Sequence, residues 1–299
     1  ASLSDDPQLF SSLVGEIFDS GRTNVVETSS LENFLSKASV PQDVKIDSSY
    51  RFLHRTMKGA EIYWINRPLF EGYDNVTLSF RTSGLKPSVW HPDTGKIEEV
   101  SYKVSGEWTD VDLSIIPDDA FFVVFAGKAL SSETVPLKAQ SAEVAVNGPW
   151  TVKFQENRGA PEKAVFTTLH SLTEEDEFGI KYFSGVSSYN NNVNIPTLSG
   201  ETYLDLGEVK YMAEVWVNGQ FCGRAWKQPY RVDISSAVKE GENRIEVKVA
   251  SSWVNRLVGD LQPEAKEKVT YTDAPRAFNK DMDILPAGLL GPVKVISEE

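Results

Sequence analysis

Cysteine is nearly absent. Cys222 stands alone among 299 residues, so no internal disulfide can form. A single cysteine neither establishes nor excludes export, because periplasmic proteins often lack disulfides. Histidine is scarce as well: His54, His91 and His170 are widely separated, and no Cys/His spacing points to zinc. Long apolar runs are missing. The longest, "AFFVVFA" at 120–126, is far too short to span a bilayer and right for one buried strand. The opening "ASLSDDPQ" has no basic n-region and no apolar h-region, so a removed signal, or excision from something longer, is expected. Positive charge is in deficit, with 30 Lys and Arg against 43 Asp and Glu, a net charge of −13. Such a surface repels phosphate backbones and anionic membranes, so neither is an expected partner.

Apolar and aromatic side chains are plentiful. The hydrophobic fraction is 40%, with 7 Trp, 10 Tyr and 15 Phe. That supports real cores, and the length allows two domains with a fragment of a third.

Hydrophobic spacing divides the chain. "PQLFSSLVGEIFDSG" predicts a helix that stops at Gly21, and "SSLENFLSKAS" a second helix with Ser29 or Ser30 as N-cap. Two short helices and a strand-like "VKI" bury too little apolar surface to stand alone. Residues 1–46 therefore read as the helical remnant of an upstream α/β domain. From residue 50 the period becomes two. "YRFLHRTMKGAEIYWINRP" predicts two strands joined near Lys58-Gly59, and "PDTG" a hairpin turn between Trp90 and Lys96. Further short strands make 47–130 a small antiparallel β-sandwich. "KALSSETVPLKAQ", 128–140, suits a linker. Residues 141–299 then carry strand patterns, "GIKYFSGVSSY" at 179–189 among them, with turns at Asn218-Gly219 and "KEGEN", matching a jelly roll. The fold class is mainly β.

Several motifs together are specific. "GPWTVKF", "GIKYFSGVSSY", "YLDLGEVKYMAEVWVNGQFCGRAWKQPYRVDI", "GENRIEVKVASSWVNRLVGD" and "LPAGLLGPVKV", in that order, resemble the galactose-binding-like jelly roll of the glycoside hydrolase family 2 sugar-binding type. The likeness is strongest to the version at the C-terminal end of family 106, the α-L-rhamnosidases and their relatives. "FLHRTMKGAEIYWINR" and "PSVWHPDTGKI" resemble the smaller sandwich that precedes it there. The resemblance implies an exported bacterial polysaccharide-degrading enzyme, periplasmic or extracellular. It also implies that the catalytic barrel lies upstream of residue 1, as the partner of this region. No catalytic residue carries over onto this chain. For His54, Arg55 and Asn66 the resemblance implies an interdomain contact; the competing and favoured reading of His54 is a satisfied structural histidine, since no Ser, Cys or metal partner is evident.

Each candidate residue has a structural role that competes with the functional one. A nucleophilic cysteine needs a His base, and none lies near Cys222 in sequence, which favours a small buried side chain. Lys227 and Gln228 read as solvated. A glycosidase needs two carboxyl groups about 5–10 Å apart in a cleft. The densest acidic run, "TEEDEFG" at 173–179, reads instead as a solvated loop. Trp226, Tyr230 and Trp253 are the sugar-stacking candidates, since an aromatic face suits the CH face of a pyranose. Core packing competes with that role. After "RIEVKVASS" comes a long connection with no strand period, a kind of loop that is usually functional or disordered. It carries Trp253, Asn255, Arg256, Asp260 and Arg276. One reading turns Asn255, Arg256 and Asp260 toward the upstream barrel as part of its cleft rim; the other pairs Arg256 with Asp260 to pin the loop. No cofactor is expected. A structural calcium, held by many galactose-binding-like modules, has no ligand set identifiable here. The expected role is a non-catalytic accessory region that buttresses a catalytic domain and contacts glycan. The rivals are an autonomous carbohydrate-binding module, a self-contained glycosidase and a structural spacer.

Overall fold

The computed structural model describes residues 6–19, 21, 30–68, 72, 74–129, 131–136, 138–274 and 277–299. Helices Pro7–Asp19 and Leu31–Lys37 form where the sequence spacing places them. Ser30 caps the second by accepting a hydrogen bond from the Asn33 amide. The other cap candidate, Ser29, lies outside the described residues. No residue of either helix is buried; Leu9, Phe10, Leu13 and Phe18 are exposed.

The small sandwich packs two antiparallel sheets. One runs in the order Val44–Lys45, Asp74–Phe80, Trp108–Ile115, Tyr102–Ser105. The other runs Arg51–Met57, Ala60–Asn66, Ala120–Lys128, Leu85–Trp90, Ile97–Glu99. Strand 108–115 shows why the sheet forms. Thr109, Val111, Leu113 and Ile115 point inward while Asp112 and Ser114 stay exposed, the period of a half-buried strand. Ala120–Lys128 is central in its sheet, and its Phe121, Val123 and Phe125 join Tyr63, Ile65 and Phe80 in the core. Each such side chain contributes about 1.5–3 kcal/mol by leaving water. Val44, inside the stretch read as a helical remnant, pairs with Phe80 and is buried in this core.

The second unit is the jelly roll. A six-stranded sheet runs Lys163–Phe166, Trp150–Phe154, Val186–Ile195, Gly241–Ala250, Met212–Val217, Gln220–Ala225. It faces a four-stranded sheet ordered Gln140–Ala145, Lys294–Glu298, Glu201–Asp205, Arg231–Asp233. Their core holds Trp150, Val152, Tyr189, Leu204, Val215, Val247 and Val295. Asn218 and Gly219 both take positive φ, as the two-residue turn requires. The stretch 179–189, read as a strand, instead opens with the short helix Phe178–Lys181, and its strand begins only at Val186. The linker is tied at both ends: Glu133 exchanges backbone hydrogen bonds with Tyr102, and Ala139 does so with Glu299.

Salt bridges join the two sandwiches. Lys227 of the jelly roll lies 3.2 Å from both Asp93 and Asp119 of the small sandwich. Lys96 of the small sandwich lies 3.0 Å from Glu201 and 3.2 Å from the Tyr203 hydroxyl. Lys227 is thus a partly buried cross-link, where the sequence alone suggested a solvated lysine.

Candidate functional site

Six sequence-predicted site residues fall into two places. Trp253, Asn255, Arg256 and Asp260 gather at one corner of the jelly roll, on and around the short helix Val254–Gly259. Trp226 and Tyr230 sit elsewhere, flanking Lys227 at the junction of the sandwiches. Trp226 is 58% exposed, whereas Tyr230 packs partly against the jelly-roll core. Burial raises the Tyr230 pKa above its ordinary value. Cys222 is partly buried against the same core, and desolvation raises its pKa too, which leaves it a poor nucleophile.

Asn255, Arg256 and Asp260 are not surface groups. All three are buried, Arg256 to 3% exposure. Asn255 donates to the Leu285 carbonyl and accepts from the Leu285 amide, both at 2.7 Å. The Arg256 guanidinium meets Asp260 Oδ1 through Nε at 2.7 Å and Nη2 at 2.6 Å. The other Asp260 oxygen accepts from the Val269 amide at 2.9 Å, and from the Thr270 amide and hydroxyl at 2.6 Å each. A buried ion pair is tolerable only when its remaining valences are met, as they are here. The geometry is that of the pairing reading: these three residues pin the loop through hydrogen bonds made inside the fold. Arg276 lies outside the described residues.

What those pins hold is an open groove of about 290 Å³, lined by Arg158, Trp253, Leu257, Val269, Thr270 and Tyr271. Trp253 is 48% exposed and Tyr271 90%. The Arg158 guanidinium carbon stands 4.7 Å from the centre of the Trp253 ring. The turn that carries Arg158 is fixed by close packing. Gly159, at φ +79°, leaves only 2.5 Å between an added Cβ and Arg256 Nη1, and 3.3 Å to Val269. Arg256 therefore supports both walls, the Arg158 turn by contact and Thr270 through Asp260. Trp226 and Tyr230 do not line this groove.

Sequence reasoning missed Arg158 and Tyr271. Arg158 sits in "QENRGAP", a turn remote in sequence from Trp253. Tyr271 stands in the long loop already singled out, and an aromatic in so polar a segment was the available signal. The acidic run also has structural duties. Glu174 completes a capping box with Ser171, Glu177 caps helix Phe178–Lys181, and Glu175 lies 2.6 Å from His170. His54 stacks on Tyr63 and lies 3.3 Å from Asp43 and 2.8 Å from Glu61, all in or beside the small sandwich. Asn66 donates to the Asp119 carbonyl of the same unit. These contacts satisfy His54 and Asn66 within and beside that sandwich, as the structural reading of the histidine expects. Among the described residues, no group of three or more His, Cys, Asp or Glu could hold a metal, and no helix is long and apolar enough to cross a membrane.

Comparison with known proteins accounts for this architecture. Residues 1–104 match the family model described as alpha-L-rhamnosidase, of glycoside hydrolase family 106. Residues 172–281 match the glycosyl hydrolase 2 galactose-binding domain-like model. A rhamnosidase from Novosphingobium sp. PP1Y aligns over 98% of this chain with a TM-score of 0.84 and 37% identity. The chain is related to the family 106 rhamnosidases. A curated Formosa agariphila protein named "Putative beta-glucuronidase" is 30% identical over 260 residues, which is 74% of this chain. The rhamnosidase-related chain spans 29% of the Novosphingobium protein and 22% of the Formosa protein.

Proposed function

We propose that this chain is the non-catalytic β-sandwich region of a larger polysaccharide-degrading glycoside hydrolase, one that buttresses an upstream catalytic domain and touches glycan at its own edge. The observation that carries the reading is one of proportion. Nearly the whole chain superposes on less than a third of a rhamnosidase. Two further features support it. The groove has no carboxylate among its lining residues, whereas glycosidic hydrolysis uses a pair. The helix Pro7–Asp19 has no buried residue and shows Leu9, Phe10, Leu13 and Phe18 to solvent, a face suited to cover by the upstream domain. Export from a bacterial cell belongs to the same reading, and fractionation of the parent protein tests it.

The direct test is turnover. The purified chain is incubated with aryl α-L-rhamnosides and aryl β-glucuronides beside the full-length parent. The expected result is hydrolysis by the parent alone, and turnover by the isolated chain would sink the accessory reading. The spacer alternative predicts no glycan contact anywhere, and the aromatic-lined groove at Trp253 and Tyr271 favours contact.

A further inference from the structure

The groove contains a charge that the fold does not satisfy. Arg256, next to it, is fully committed to Asp260. Arg158 makes no ion pair or hydrogen bond among the described residues, and its Nε is buried without a partner. This is notable in a chain with 43 carboxylate side chains and a net charge of −13. A donor buried without an acceptor costs free energy, and an anion bound on the guanidinium is a group that offsets it.

The surroundings specify the rest of that ligand. The Trp253 ring lies under the guanidinium, whose carbon is 4.7 Å from the ring centre. Tyr271, at 90% exposure, offers an open aromatic face beside it. The Thr270 hydroxyl, its proton given to Asp260, presents an oxygen that can accept from a sugar hydroxyl. Leu257 and Val269 complete an apolar wall. An aromatic face, an acceptor and an unpaired planar cation together match a ring with a CH face, hydroxyl groups and an anionic substituent.

We propose that the Arg158–Trp253–Tyr271 groove binds an acidic pyranose, with the ring against Tyr271 and its carboxylate or sulfate on the Arg158 guanidinium. The Arg158 side of the site is preformed. The Arg158 turn is wedged against Arg256, and the arginine stem lies near Gly185, where an added Cβ would stand 3.4 Å from Arg158 Cγ. Little ordering is left for binding to complete. The proposal deepens the accessory reading and rests on it for the glycan class.

The test applies the 299-residue chain to an array of uronate-bearing, sulfated and neutral oligosaccharides, followed by calorimetry on each hit. Uronate and sulfate arms separate the two sources of the anion. Acidic glycans should bind, and neutral glycans of similar length should bind at least about tenfold more weakly. Arg158→Gln should lose about tenfold or more for the acidic ligand, Arg158→Lys should keep part of the affinity, and Tyr271→Ala should weaken binding. Circular dichroism melts confirm that each variant is folded. Equal binding of acidic and neutral glycans, indifference to Arg158→Gln, or no acidic hit on the array would each overturn the proposal. The accessory reading fails on turnover by the isolated chain, so the two fail separately.

Discussion

Lys227 Nζ in the jelly roll lies 3.2 Å from a carboxylate oxygen of Asp119 in the small sandwich. Asp119 is 2% exposed, so this cation is the counter-charge of a buried anion across the junction of the two sandwiches. Removing one member of such a pair leaves an uncompensated charge. Lys227→Met is expected to lower stability by about 3 kcal/mol in denaturant titration. The Lys227→Met, Asp119→Asn double variant should recover part of that loss, and a purely additive double variant would count against the pairing.

The Arg256–Asp260 pair predicts a local effect. Asp260→Asn weakens the bonds to Arg256 and to the Val269 and Thr270 amides. Hydrogen exchange at those two amides should accelerate, with a stability loss of about 2–4 kcal/mol. Unchanged protection there would mean that the loop is held by something else.

Acid should loosen the junction of the sandwiches. Hydrogen bonds from Lys138, Tyr203 and Lys96 pull the Glu201 pKa down to about 2 from 4.5. A carboxyl whose folded pKa is depressed adds stability above its unfolded pKa, and that stability fades as pH falls toward the folded value. Asp43, Glu98 and Glu143 are shifted the same way. The melting-temperature gap between the native chain and Glu201→Gln should therefore be full at pH 7 and should close between about pH 4.5 and 2. A gap that stays constant across that range would refute the assignment.

Two glycines separate two kinds of backbone demand. Gly219 sits at φ +83° in open space, so Gly219→Ala should cost only about 1 kcal/mol, through conformation alone. Gly179 is different. An added Cβ would stand 2.0 Å from the Gly159 carbonyl oxygen, in the turn that bears Arg158. Gly179→Ala should cost more than Gly219→Ala by thermal melt, and should also weaken acidic-glycan binding by displacing that turn.

Much of the fold was legible because it is local. Alternation along 108–115 depends on side chains two residues apart, and the Asn218-Gly219 and "PDTG" turns depend on backbone torsions their own residues prefer. Asn218 shows where local reading stopped. Its geometry was readable, but not the 2.8 Å hydrogen bond from its side chain to the buried Asn243, which joins one turn to the next. The helix at 178–181 was misread because Glu177 caps it, and the acidic run around that cap looked like solvated loop.

By itself the sequence determined the class of the protein: two β units built on period-two patterning, a rhamnosidase-type kinship, and a long loop that bears chemistry. Only the tertiary structure decided what each polar residue of that loop does. Arg256 of the loop and Arg158 beside it are alike in type, but burial and available partners differ. Arg256 and Asp260 are sealed together and must neutralise each other, while Arg158, brought from a distant turn onto Trp253, is left with a charge and no anion. Burial and pairing are properties of contacts far apart in sequence, and no local pattern records them.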